Sequence, residues 1–358
     1  VRHTYPGARR AATLLAALAL LGVLPAAPGA AASPAGCIVT NIDTWAQAAT
    51  IPAVVATADP GDTLIVRGIC KGDVTLDRNL TIVGIHPVGA KRPVLLGDGN
   101  GSALRIDNGV TATIVAMRIS GGNNVELGGG IYVDGTLTLR DTVVRANQAG
   151  SGGGIYVDSG DLVLRGATAI QANKATYGAG ISIDGGTITL HGQSSIRGNR
   201  ASGLGGGLLT AQATVTFNDT SSVRQNQASS GGGVFNDFGS TLVFTENTTV
   251  QDNVALRFGG GIYAEGTVIL QDQAVVRGNK SSSPGSGAVE LARFPSESMS
   301  FTMAGNSAVT ANVGGSQGGG VVSWQGCGGG SPALSGVVDR TFSNSPKQVV
   351  LAAGCPTF

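Results

Sequence analysis

Apolar and polar residues alternate in short bursts along most of the chain. Gly130-Ile131-Tyr132-Val133-Asp134, Thr136-Leu137-Thr138-Leu139 and Thr187-Ile188-Thr189-Leu190 each place an apolar residue at every second position. That is the pattern of a strand with one face buried. The bursts return at a fixed interval: an apolar residue, two spacers and an Asn, then a glycine cluster leading into the next strand. Val144-Arg145-Ala146-Asn147 followed by Gly152-Gly153-Gly154-Ile155 is one copy, and the Asn recurs at 173, 199, 226, 253, 279 and 312. Successive differences are 26, 26, 27, 27, 26 and 33 residues. A period in this range means one structural unit per repeat, none able to bury its apolar face alone.

Each unit holds about three short strands, the Gly-Ile-x-Val, Thr-Leu-x-Leu and Val-x-x-Asn pieces, separated by turns rich in Gly, Asp, Asn and Ser. Nothing in the repeats has helical spacing. The expected fold is all-β, a right-handed parallel β-helix with N- and C-terminal caps. The residue three before each Asn is Val144, Ile170, Ile196, Val223, Val250, Val276 and Val309. These β-branched residues suit an inward column at the spacing of about 4.8 Å between neighbouring strands. The Asn residues themselves form a second column whose amides can bond up and down the stack.

The glycine cluster before an aliphatic residue (Gly129-Gly130-Ile131, Gly153-Gly154-Ile155, Gly232-Gly233-Val234, Gly260-Gly261-Ile262), alternating with an x-x-Asn corner, resembles the paired motifs of the chlamydial polymorphic outer membrane proteins and related secreted β-helix repeat proteins. The resemblance covers roughly residues 121–323. That family's corner motif begins with Phe, where every copy here begins with Val or Ile. The resemblance implies a surface adhesin. Pro60-Gly61-Asp62-Thr63, after a short cap segment, resembles the first coils of pectin-lyase-like β-helix proteins.

In chain order, Arg2, Arg9 and Arg10 precede an apolar run from Ala11 to Leu24 and a small-residue tract ending at Ala32. Residues 1–32 read as a secretory signal peptide, too short in its apolar run to span a bilayer, which takes about 20 residues. The expectation is a secreted or cell-surface protein with no integral membrane segment after cleavage. Residues 33–120 form a cap and irregular coils, 121–323 the regular repeats and 324–358 a C-terminal cap. Pro52 is expected to break any helix in the N-terminal cap. Four cysteines in an exported chain suggest two disulfides. Their placement pairs Cys37 with Cys70 and Cys327 with Cys355, one at each end.

The formal net charge of +1 argues against a nucleic-acid partner, which asks for a basic domain. The 58 glycines follow no Gly-X-Y period and reflect turns.

Candidate chemistry lies on the outward side of the Gly-Ile-x-Val strand. With Ile131 and Val133 inward, Tyr132 and Asp134 point out, and the same positions read Tyr156 and Asp158, Ser182 and Asp184, Leu209 and Ala211, Phe235 and Asp237, Tyr263 and Glu265. An aromatic column thus runs beside an acidic one. The aromatics fit stacking against sugars. Stacked carboxylates repel at neighbouring-strand distance, so bound Ca²⁺, solvent exposure or protonation must offset them. As an alternative, each Asp caps its own strand-to-turn backbone. A second outer column, two before each Asn, reads Arg145, Gln171, Arg197, Arg224, Gln251, Arg277 and Thr310, either a ridge for uronates or sulfates or a solvated face.

No catalytic residues emerge: His86 and His191 are the histidines of the mature chain, and no triad assembles around them. No other cofactor is implied. Two functions follow. One is a non-enzymatic scaffold for adhesion or for binding a polysaccharide or cell-surface partner; the other is a polysaccharide lyase or glycoside hydrolase, on fold analogy.

Overall fold

The computed structural model describes residues 36–124, 126–282, 285–292, 299–315 and 318–325, with the backbone strands Ala333–Ser335, Thr341–Phe342 and Val349–Ala353. The expected signal segment and the expected Cys327–Cys355 pair lie outside the described residues. From Gly36 onward the described residues form a parallel β-helix, with Ile38–Asn41 paired antiparallel to Thr63–Arg67 at its start. Sheet A has 13 strands, sheets B and C have 11 each, and a small sheet D has five. One coil shows the order: Thr136–Arg140 in sheet A, Val143–Arg145 in sheet B, the Asn147 corner, then Ile155–Asp158 in sheet C.

The register is the one that alternation demands. Leu137 pairs with Leu162, Val144 with Ile170 and Ile131 with Ile155, so each inward residue sits on its counterpart in the next coil. Val144, Ile170, Ile196, Val223 and Val309 are completely buried. Shifting one strand by a single residue would turn its whole apolar set to solvent, which is why the pattern specifies the pairing. The outward side of sheet A carries Thr136, Thr187, Thr214, Thr241 and Thr267 in one column, interrupted by Asp161.

Sheet D was not expected. It runs through Lys174–Ala175, Arg200–Ala201, Gln227–Ser230, Val254–Phe258 and Lys280–Ser281, between the Asn corner and the glycine cluster.

At the corner the Asn column behaves as its chemistry allows. Asn173 is buried; its backbone amide and its Nδ2 both donate to Asn199 Oδ1, at 3.0 and 3.1 Å, and Nδ2 also donates to the Val144 carbonyl at 3.1 Å. The same three bonds link Asn147, Asn199, Asn226, Asn253 and Asn279 to their neighbours. The residue before each Asn is left-handed, including the non-glycines Ala146, Ala172, Gln225, Asp252 and Ala311, with φ from 53° to 57°. After the corner, the coils approach backbone to backbone: a Cβ on Gly154 would lie 2.4 Å from the Gly180 carbonyl. No side chain fits there.

The N-terminal end is closed by a one-turn helix, α1 (Ile51–Val55), which buries Ile51, Val54 and Val55. This corrects the expectation that Pro52 forbids a helix. Thr50 caps the turn by accepting from the Ala53 amide at 3.4 Å, and Pro52 sits in the first turn, where its missing N–H has no intrahelical partner to lose. Cys37 and Cys70 are disulfide-bonded across the first coil, as expected. No helix among the described residues is long and apolar enough to cross a membrane.

Candidate functional site

The residues singled out from the sequence do share sheet C. Arg105, Tyr132, Tyr156, Ser182, Leu209, Phe235 and Tyr263 follow one another in register. Two positions on, Asp158 pairs directly with Asp184, and Asp134, Asp237 and Glu265 continue that line at the ends of paired strands. The line begins two coils earlier than the sequence reading placed it, at Asp77 and Asp107, because Leu76 pairs with Ile106 and Ile106 with Val133. The signal was present: Val74-x-Leu76-Asp77 and Leu104-x-Ile106-Asp107 share the form of Ile131-x-Val133-Asp134.

The two halves of the aromatic column differ. Phe235, Tyr263 and Glu265 are only 5, 0 and 7 % exposed, which corrects the expectation that they face solvent. Phe235 and Tyr263 belong to a second apolar cluster with Phe258, Ala292 and Val322, and Leu204 and Leu209 pack against it. The cover comes from the residue just before the glycine cluster. Phe258 lies with its ring 6.4 Å from that of Tyr263 and tilted against it. Leu209, which breaks the aromatic column in sequence, is thus part of a hydrophobic contact. Glu290, next in register after Tyr263, is fully buried and accepts from the amides of Gly259 and Ser286 at 2.9 and 2.8 Å.

Toward the N-terminal end Tyr132 stays partly open, whereas Tyr156, 9 % exposed, is buried as well, against the expectation that it faces solvent. The Tyr132 and Tyr156 rings are stacked at 5.7 Å, and the Arg105 guanidinium sits 4.4 Å from the Tyr132 centroid. In-register aromatics on parallel strands cover one another's faces. Both faces of Tyr132 are therefore occupied, so it offers a ligand its edge and not a stacking platform. What remains available is the carboxylate line. Its repulsion is offset within the protein: Asp77 by Arg78 at 2.8 Å, Asp107 by Arg105 at 2.8 Å, Asp134 by Asn108 Nδ2 at 3.2 Å, and Asp158 by the Tyr132 hydroxyl. Asp184 is exposed.

Burial and the hydrogen bond to Asp158 push the Tyr132 phenol up to about 12. Both favour the protonated form. The raised value means that this contribution to stability is complete below the ordinary tyrosine pKa, about 10, and fades as pH climbs from there toward the folded value. An ultraviolet tyrosinate titration should show a late-ionising component that Tyr132→Phe removes and Asp158→Asn moves to lower pH. A late component unchanged in both variants would refute the assignment.

The carboxylate line runs into an open cleft of about 520 Å³ between α1 and sheet C, lined by Pro52, Val55, Asp73, Thr75, Asp77 and Asp107 among others. Burial pushes the Asp73 carboxyl above its ordinary value, and the neighbouring Asp98 carboxyl works in the same direction against the bond Asp73 accepts from the Asp98 amide. Among the described residues no three His, Cys, Asp or Glu are grouped to hold a metal ion. His86 is hydrogen-bonded to the Pro87 carbonyl, and His191 lies 3.6 Å from Asp219; neither lines the cleft.

On sheet B, Arg145, Gln171, Arg197, Arg224, Gln251, Arg277 and Thr310 pair in unbroken register, as expected from their spacing. Arg277 donates to Gln251 Oε1 at 3.0 and 2.8 Å.

No family model, curated protein or solved structure matches the chain.

Proposed function

We propose that the protein is an exported, non-enzymatic β-helix scaffold that binds a surface glycan along the outer side of sheet C. The observation that carries this reading is the continuity of the α1 cleft with the carboxylate line from Asp77 to Asp184. A chain of sugars offers hydroxyl donors at regular intervals, and this stack offers acceptors at regular intervals of about 4.8 Å. An ionised carboxylate has some four lone-pair sites, so one bond to Arg105, Asn108 or Tyr132 leaves capacity for a ligand. The adhesin reading suggested by the repeat motif fits such a surface.

One observation favours a hydrolase instead: Asp73, with its raised pKa, lines the same cleft as Asp77 and Asp107, and acid catalysis uses such pairs. A glycan array run alongside a lyase and reducing-sugar assay separates the two. Binding without product release, weakened about tenfold in Asp134→Asn/Asp158→Asn through lost charge-assisted bonds, is the expected result. Product release abolished by Asp73→Asn would replace the scaffold reading with the hydrolase.

A further inference from the structure

The Asn corner joins sheet B to sheet D, and cations stand on both of its flanks. On the sheet B side, two residues before the Asn, are Arg145, Arg197, Arg224 and Arg277. On the sheet D side, one residue after it, are Lys174, Arg200 and Lys280, in a column that Gln148, Gln227 and Val254 complete. Between the flanks, the left-handed position carries exposed Ala146, Ala172 and Gly198. Over these three coils the bend is therefore floored by small residues and open to a ligand, and Gln225 and Asp252 take the position in the next two. Its N-terminal end holds a second cleft, about 380 Å³, lined by Gly121, Gly122, Ala146, Gln148, Ala172 and Lys174, among others.

The two flanking rows carry charge of one sign, and Asp252 Oδ1, which a Cβ on Gly278 would approach to 2.5 Å, is the carboxylate between them. No strand of sheet B contains an acidic residue, and none of the seven cations forms an ion pair among the described residues. The acids of the far edge of sheet B are removed along the chain from their Arg: Asp219 lies five residues before Arg224, beyond Ser222 and Val223. Arg197 and Arg224 lie directly in register, an unfavourable arrangement for like charges, and Arg197 Nε is buried with no hydrogen-bond partner. Burial and the Arg224 guanidinium together lower the Arg197 pKa. A bound anion would offset the repulsion between Arg197 and Arg224.

We propose that this corner binds a linear anionic polysaccharide, lying along the stack, through the two flanking rows of cations. Each coil from Asn147 to Asn279 except that of Asn253 supplies at least one cation, so charge recurs about every 4.8 Å over roughly 24 Å. An extended pyranose chain advances by close to one coil step per sugar, and the planar guanidinium fork suits carboxylate and sulfate alike. A nucleic acid fits less well. Its phosphates recur about every 3.4 Å along each strand, leaving many unmatched. Single strands also ask for aromatic stacking residues, and neither cation row contains one. This site is separate from the sheet C line and stands or falls without it.

The test uses the full chain against heparin, polygalacturonate, a neutral glucan and duplex DNA, at low and physiological salt. Heparin and polygalacturonate distinguish sulfate from carboxylate as the anion. Binding to at least one of them is expected, weakening as salt rises, with the neutral glucan unbound at this site. Arg197→Gln/Arg200→Gln/Arg224→Gln should weaken it at least about tenfold, while Arg140→Gln/Arg165→Gln, exposed cations paired on sheet A away from the corner, leaves it unchanged. Circular dichroism checks the fold of the triple variant. Arg277→Gln/Lys280→Gln, two coils along, repeats the test should the first variant misfold. Failure of both anionic polymers to bind at low salt, equal binding by both corner variants and the wild type, or tighter binding to DNA than to both polysaccharides would overturn the proposal.

Discussion

Replacing Asn199 by Leu should destabilise the protein by about 3–5 kcal/mol in urea denaturation, although the two side chains are similar in size. Asn199 is about 1 % exposed and connects three coils. Its Oδ1 accepts from the amide and the Nδ2 of Asn173 at 3.0 and 3.1 Å, and its Nδ2 donates to the Ile170 carbonyl and to Asn226 Oδ1, both at 3.0 Å. Leu can make none of these bonds. The Asn173 amide, buried at the turn, is then left without its acceptor, and the Ile170 carbonyl loses a donor. Each orphaned buried group costs about 1–3 kcal/mol, more than the net worth of the bond itself. Asn199→Asp should be comparably damaging, since it replaces the donor by a buried charge facing the Ile170 carbonyl. A loss under about 1 kcal/mol for both variants would mean that water or a rearranged turn takes over the bonds, and that the column is not what fixes the corner.

The second large effect is expected from the core of sheet A. Phe217 is fully buried, in register with Leu190 on one side and Phe244 on the other, its ring stacked on that of Phe244 at 4.4 Å. Phe217→Ala should cost about 3–5 kcal/mol, because rigid neighbouring coils cannot collapse into the space left. Phe217→Leu, which matches the residue found at Leu190 and Leu164 in the same column, should cost under about 1.5 kcal/mol. Hydrogen exchange should then show protection lost first in the coils flanking Phe217, as a chain of nearest-neighbour contacts requires. Uniform loss of protection from end to end would argue that the coils unfold as a single unit.

What could be read from the chain alone was whatever the repeat states many times. The alternation in Thr136–Leu139 and the recurrence of Asn147 set the strands, their inward faces and the stacking of coils, and the structure has each of them in place. Alternation reports which way a residue leaves its own strand, however, and says nothing of what another segment lays over it. Tyr263 leaves sheet C outward and is nevertheless buried, because Phe258 folds across it. The same limit hid the sheet D row. Lys174, Arg200 and Lys280 become a line only once the bend carries them beside Arg145, Arg197 and Arg277. At Pro52 the error was one of position: proline breaks a helix interior but starts a first turn readily.

The left-handed residue ahead of each Asn has a wider consequence. Its backbone is held by the column behind it, and its side chain is Ala, Gly, Gln or Asp with no change in the path of the chain. Chemistry displayed there can change one coil at a time while the architecture stays put. A lineage carrying this protein could change what that row displays by editing single letters, as type is reset in a frame that never moves.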